Sequence, residues 1–176
     1  MTDSTVVVIV KIKTVTVELN YKNGVKFMSV RKRFDKGLFE KYDKKAKRIA
    51  KEFYENRGFT TKDNTNRYGV DLVLYRNDEH VGFLETEVKA VWKDEPFPYE
   101  SVQFPERKLK YIIDNDKPVT FFMLNAKCNR CLVVEGKDLM NSPLKKVWNK
   151  YMRGGNEMFF QVPLDKVSFH DLEQKK

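Results

Sequence analysis

Apolar residues change their spacing several times along this chain, and each change marks an element. Residues 6–10 and 12–19 are rich in Val, Ile and Thr and alternate from Lys11 onward, the period of a half-buried strand. Asn23-Gly24 then divides 16–21 from 25–30, a hairpin signal. The first thirty residues therefore predict a β ribbon placed before the main unit. A helix follows, with Asp35 able to cap its start and Gly58 able to end it. Between them Leu38, Phe39, Tyr42, Ala46, Ile49, Ala50 and Phe53 recur at three- and four-residue spacing, and the other side carries Lys36, Lys44, Lys47, Arg48 and Lys51. That basic face is either solvated or close to a phosphate backbone.

Strands are expected at 70–75 and 81–90, joined by a turn at 76–79, with a shorter strand beginning at Thr60 and Thr61. Residues 92–105 are expected to be irregular because Pro96, Pro98 and Pro105 interrupt them. A helix is expected over 106–115, where Leu109, Ile112 and Ile113 share a face. Strands at 119–124 and 132–135 come next, the first apolar throughout like a buried central strand. Ser142-Pro143 is expected to open a helix reaching about Met152, and short strands at 159–163 and 167–169 close the chain. The order predicts an α/β fold with a mixed sheet.

The chain has 176 residues, suited to one domain with a core of its own. No run approaches the roughly 18 apolar residues of a membrane helix, and Met1-Thr2-Asp3-Ser4 lacks a basic start, so the apolar run after it reads as a strand and not as a secretion signal. Lys and Arg number 34 against 25 Asp and Glu, a net charge of +9. Such an excess attracts polyanions, of which nucleic acid is the commonest, and no helix pairs a basic face with a purely apolar one as a membrane-surface helix would. Cys128 and Cys131 form one C-x-x-C, but His80 and His170 are distant in sequence, so no zinc site is expected. The pair reads as a turn carrying free thiols, which suits a reducing cytoplasm.

Chemistry enters at Gly69-Val70-Asp71-Leu72 and at Glu85-Thr86-Glu87-Val88-Lys89-Ala90. Strand alternation points Glu85, Glu87 and Lys89 to one side and Leu84, Val88 and Ala90 to the other, into a core. If the two strands form a hairpin through the 76–79 turn, Asp71 falls opposite roughly the 85–89 region. Two carboxylates suit Mg²⁺ or Mn²⁺, hard cations that prefer oxygen. A bound metal lowers the pKa of its water and neutralises charge growing on a phosphate. A nearby lysine can orient that water or stabilise the phosphorane. The same alternation of acid and base also suits a solvated strand face or a cross-strand salt bridge.

At these residues the chain resembles the PD-(D/E)xK nuclease superfamily, with its restriction-endonuclease-like fold, and within it the Holliday-junction-resolvase-like branch and small nucleases of phages and mobile elements. The resemblance runs from about Phe34 to Leu124. It implies a core of helix, three-strand meander, helix and strand within a single domain: ribbon 1–30, nuclease core 34–135, and a helix and strands over 136–176. It implies Asp71 and Glu87 as catalytic metal ligands and Lys89 as the catalytic lysine, with Gly69-Val70 where the family often has proline. Lys36-Gly37-Leu38-Phe39-Glu40 is similar to the resolvase Lys-Gly-x-x-x-Glu opening, one residue short, and suggests Glu40 as a further metal ligand, with Asp43 one turn on as the alternative. The family often sets a glutamine or basic residue on the following helix, which implies Gln103, Arg107 and Lys108 as DNA contacts. Trp92, Phe97 and Tyr99 either stack on bases or pack over that helix, and Lys93 lies beside them. Lys145, Lys146, Lys150 and Arg153 add a basic face near the end.

The expected function is a Mg²⁺- or Mn²⁺-dependent DNA endonuclease, acting as a homodimer if the ribbon's strand edges pair. The alternative is a nucleic-acid-binding or assembly protein that keeps such a fold without turnover.

Overall fold

A computed structural model describes residues 6–12, 15–21, 36–66, 68–93, 96–148 and 156–172. The chain divides into two compact units, Met1–Arg31 and Lys32–Lys176. In the first, β1 (Val6–Ile12) and β2 (Val15–Tyr21) pair antiparallel, Val6 opposite Tyr21 and Ile12 opposite Val15. The hairpin expected around Asn23-Gly24 lies outside the described residues, as does Asp35.

The second unit opens with α1 (Lys36–Glu55). Gly58 ends it as expected, at φ +79°, a conformation that glycine adopts without a Cβ clash. The chain then reverses, and the Phe59 N–H donates to the Tyr54 carbonyl at 3.1 Å. A meander follows, of β3 (Thr60–Asp63), β4 (Leu72–Arg76) and β5 (Glu79–Lys89). Asn77 and Asp78 turn β4 into β5 with φ of 50° and 63°, which their short polar side chains tolerate. Beyond β6 (Ser101–Pro105), a 3₁₀ turn at Glu106–Lys108 and α2 (Leu109–Ile113), the chain returns in β7 (Val119–Asn125). It continues through β8 (Arg130–Glu135), α3 (Gly136–Met140), β9 (Leu144–Trp148), β10 (Asn156–Pro163) and β11 (Ser168–Asp171).

The main sheet runs β11-β8-β7-β5-β4-β3. Only β5 and β7 are parallel in it, and the remaining neighbours are antiparallel. A parallel pair needs a long crossover, and β6 and α2 supply it. Gly82 on β5 permits the close approach at the start of that pair: the Phe83 N–H donates to the Pro118 carbonyl at 2.8 Å, and a Cβ on Gly82 would stand 2.9 Å from the same oxygen. One face of the sheet carries α1, with Ala46, Ala50, Phe53 and Tyr54 against Leu72, Leu84, Phe122 and Leu124. The other face buries Phe121, Met123 and Leu132 against Val102, Phe104, Phe160 and Val162, which belong to the second sheet, β6-β10-β9.

The chain is thus α/β with a mixed sheet, as expected, and three elements differ from expectation, one of them α3, where no helix was expected. Residues 101–105 form a strand despite their proline, because Pro105 is the last residue of an edge strand, where a missing N–H is tolerated. Residues 144–148 form β9 and not the expected helix, since pairing with β10 (Leu144 opposite Phe160, Trp148 opposite Asn156) satisfies the backbone that a helix would otherwise have satisfied. Among the described residues no helix is long and apolar enough to cross a membrane.

Candidate active site

Asp71 sits just ahead of β4, and the β4–β5 register brings it to the level of Glu85, because Leu72 lies opposite Leu84. Its Oδ2 accepts two hydrogen bonds from Thr86, from the backbone N–H and from Oγ1, each at 2.8 Å. Its Oδ1 lies 3.0 Å from the Lys47 Nζ of α1, which also reaches the Asp43 carboxylate at 3.3 Å. Burial acts to lower the Lys47 pKa, but Asp71 and then Asp43 outweigh it and hold the ammonium above its ordinary range. The helix and the meander are therefore tied together by one lysine shared between two carboxylates.

Glu85, Glu87 and Lys89 share a face of β5, as alternation requires, while Leu84 and Val88 pack toward α1. Ala90 is exposed in the turn after the strand and not in the core. Glu85 is only 8% exposed. Its Oε1 lies 2.5 Å from the Lys108 Nζ, and the same ammonium stands 3.6 Å from the Glu87 Oε2. Burial pushes the Glu85 carboxyl up to about 7 against the pull of Lys108, and the Asp71 charge adds to the rise. Lys108 moves upward too: burial acts to lower it, and Glu87 and Glu85 more than reverse that. Desolvation dominates at the acid and charge pairing at the base, so the pair is a firmly charged lysine beside a carboxylate that gives up its proton late. Lys89 is held below the usual ammonium range by burial, with Glu87 opposing, and its Nζ lies 5.4 Å from the centre of the Tyr99 ring.

The residues expected from sequence divide into three groups. Asp71, Glu87 and Lys89 come to one end of the β4–β5 pair, Asp71 held by Thr86 and Lys47 and Glu87 joined to Glu85 by Lys108. Glu40 lies in the first turns of α1, with its side chain outside the described residues; Asp43, one turn on, reaches Asp71 through Lys47. Of the expected DNA contacts, Lys108 is buried in the site and spends its charge on Glu85 and Glu87. Arg107 pairs with Glu157. Gln103 lies on β6 and not on a helix, and donates to the Gln161 side chain at 3.2 Å. Trp92 is a correction: at 1% exposure it belongs to the core, edge-on to Phe97 and Phe169, and no base can reach its ring. Lys93 is exposed.

Sequence reasoning placed Glu85 on the face of Glu87 and Lys89 without a role, and missed Lys47, Thr86 and Tyr111 as members of the site. Tyr111, on α2, has its hydroxyl pKa raised by burial and then by the Glu85 charge. An apolar strand interrupted by three consecutive polar residues, Glu85, Thr86 and Glu87, was the available signal, because only one face of such a strand can be solvated.

Carboxylate oxygens are hard donors of the kind Mg²⁺ and Mn²⁺ prefer. Among the described residues no cluster of three or more Asp, Glu, His or Cys is arranged to hold a metal. Mg²⁺, however, commonly takes one or two protein carboxylates and keeps its waters. Asp71 and Glu87 offer oxygen donors of that kind, and each faces an ammonium nitrogen, of Lys47 and Lys108, with which a cation would compete. Cys128 and Cys131 are free thiols buried in the core under α1. A separate cleft of about 570 Å³ is lined by Lys45, Arg48, Arg57, Lys127 and Cys128 and by none of the acids of this site. The sequence matches no protein-family model and no curated protein.

Proposed function

We propose that this chain is a divalent-metal-dependent endonuclease that hydrolyses phosphodiester bonds in DNA. One observation carries the reading. Asp71, at the head of the middle strand of the meander, is fixed against β5 at Thr86, and Glu87-x-Lys89 follows on that strand. The order α1, β3-β4-β5, β6, α2, β7 contains the helix, meander, helix and strand that the resemblance implies, with β6 as an additional strand between β5 and α2.

Asp71 and Glu87 would hold the cation, which when bound supplies a water of lowered pKa and offsets charge growing on the phosphate. The rest of the work falls to the chain itself. Thr86 fixes the Asp71 carboxylate in one rotamer through two hydrogen bonds, which reduces reorganisation at the site. Lys89, partly buried and on the same face of β5 as Glu87, would orient the attacking water or hold the phosphorane's negative charge. Lys108 keeps two acids on one face despite their mutual repulsion. The net charge of +9 draws in the polyanion.

The test is cleavage of supercoiled plasmid, linear duplex, single strand, flap and four-way junction with Mg²⁺, Mn²⁺ or EDTA, wild type beside Lys89→Ala. Metal-dependent cutting that is lost in the variant supports the proposal. Cutting that persists at the wild-type rate in Lys89→Ala removes the site assignment. A second reading, a nucleic-acid-binding protein without turnover, draws on the engagement of Asp71 by Lys47 and of Glu87 by Lys108. DNA binding with no cleavage under any metal would select it.

A further inference from the structure

The β9 strand holds a surface that the site above does not use. It is the edge of the sheet β6-β10-β9, and its burial is low along most of its length. Alternation sets Leu144, Lys146 and Trp148 on one face, opposite Phe160, Met158 and Asn156 of β10. Phe160 belongs to the core, so this face starts as core and runs out into solvent. Leu144 is 41% exposed and Trp148 is 70% exposed. An aromatic ring left this open, two residues from an exposed lysine on the same strand face, is a stacking platform beside a cation. The sequence continues from it into Lys150, Tyr151 and Arg153.

We propose that this face of β9 binds a single-stranded segment of nucleic acid, one base stacked on Trp148 and an adjacent phosphate held by Lys146. Stacking on an aromatic accepts any base, and the lysine supplies the salt-dependent part of the affinity. The ligand class rests on the proposed function's nucleic-acid partner, but not on its metal chemistry. Charge complementarity selects the occupant: the exposed cations of this strand, in a chain of net charge +9, favour a polyanion over an apolar protein partner. The surface would give the protein a grip on an unpaired strand.

The chain contains two tryptophans, and Trp92 is buried at 1% exposure, so Trp148 can be read by its emission. The full-length protein is titrated in EDTA with a short fluorescein-labelled oligothymidylate and with a duplex, following tryptophan emission and fluorescein anisotropy. Binding of the single strand is expected to quench the solvent-exposed component. Trp148→Ala is expected to weaken binding roughly 5- to 150-fold, the worth of one stacked base, with an unchanged thermal melt. Trp148→Tyr should keep affinity within a few-fold and lose the quench. Lys146→Ala should make the log–log salt slope shallower by about 0.7. Single-strand binding with unchanged emission and undiminished affinity in Trp148→Ala overturns this inference and leaves a nucleic-acid partner standing. Quenching by duplex alone also overturns it. Binding to neither oligonucleotide overturns it together with the nucleic-acid reading.

Discussion

Removing the Lys108 ammonium should make the stability of this protein depend on pH in a manner that the buried Glu85 dictates. In Lys108→Met the stem is retained and the charge is lost from a position where the two side chains are 14% and 9% exposed. Breaking a buried pair by removing one partner costs about 3–5 kcal/mol when the other charge has no escape. Glu85 has one, because it can take a proton. Its pKa is already raised in the folded wild type, from 4.5 to about 7. A raised folded pKa means that the native state binds more protons than the unfolded state between those values, so stability falls as pH rises through that window. Lys108 pulls the Glu85 pKa downward, so its loss moves the folded value higher and extends the fall beyond pH 7. At pH 5 Glu85 is neutral in both folded proteins, and the variant should lie within about 1 kcal/mol of wild type, the residue being its lost attraction to Glu87. Above pH 7 the difference should widen by about 1.4 kcal/mol per pH unit, until Glu85 ionises in the variant too. Denaturant unfolding at pH 5, 7 and 8.5, with linear extrapolation and a shared slope, measures it. The deficit at pH 8.5 should exceed that at pH 7 by about 2 kcal/mol, and adding Glu85→Gln should flatten the profile. A deficit that is equal at all three pH values would refute the claim that Lys108 pulls the Glu85 pKa downward.

Two further outcomes follow from the packing. Gly82→Ala forces a Cβ to within 2.9 Å of a backbone oxygen at Pro118. Overpacking of about 1–3 kcal/mol outweighs the roughly 0.4–1 kcal/mol that a lost glycine returns through the unfolded chain, so the midpoint of chemical unfolding should fall, and an unchanged midpoint would remove the close approach of β5 to Pro118. The Cys131 thiol is fully buried and pushed up to about 12, by burial first. Native protein at pH 8 should therefore leave it unmodified by iodoacetamide, and unfolded protein should alkylate it fully, as mass spectrometry of the digested chain would read.

Much of the fold was legible because the elements announced themselves locally. The Ala46, Ala50 and Phe53 stripe and Gly58 fixed α1. Asn77-Asp78 fixed the β4–β5 turn, and the apolar run at 119–124 fixed a central strand. Two errors share a cause. Ser101-Val102-Gln103-Phe104 alternates with period two, but three prolines nearby outweighed it. Leu144 and Val147 are three apart, as on a helix, and a five-residue strand offers too few positions to separate the two periods. In both cases the deciding partner is β10, more than fifty residues away from β6 in sequence.

The site divides along the same line. Composition and alternation by themselves determined that Glu85, Glu87 and Lys89 share a face, that Leu84 and Val88 face a core, and that the chain carries an excess of positive charge. These are properties of one strand or of the sum of residues, and need no neighbour. Only the tertiary structure decided that Lys47 spans Asp43 and Asp71, that Thr86 holds Asp71 in place, that Lys108 is buried between two acids, and that Trp92 lies inside while Trp148 stands in solvent. Each of those depends on which distant segment packs alongside. Desolvation and pairing, the two forces that set the charges of this site, are fixed by that packing and leave no periodicity in the sequence.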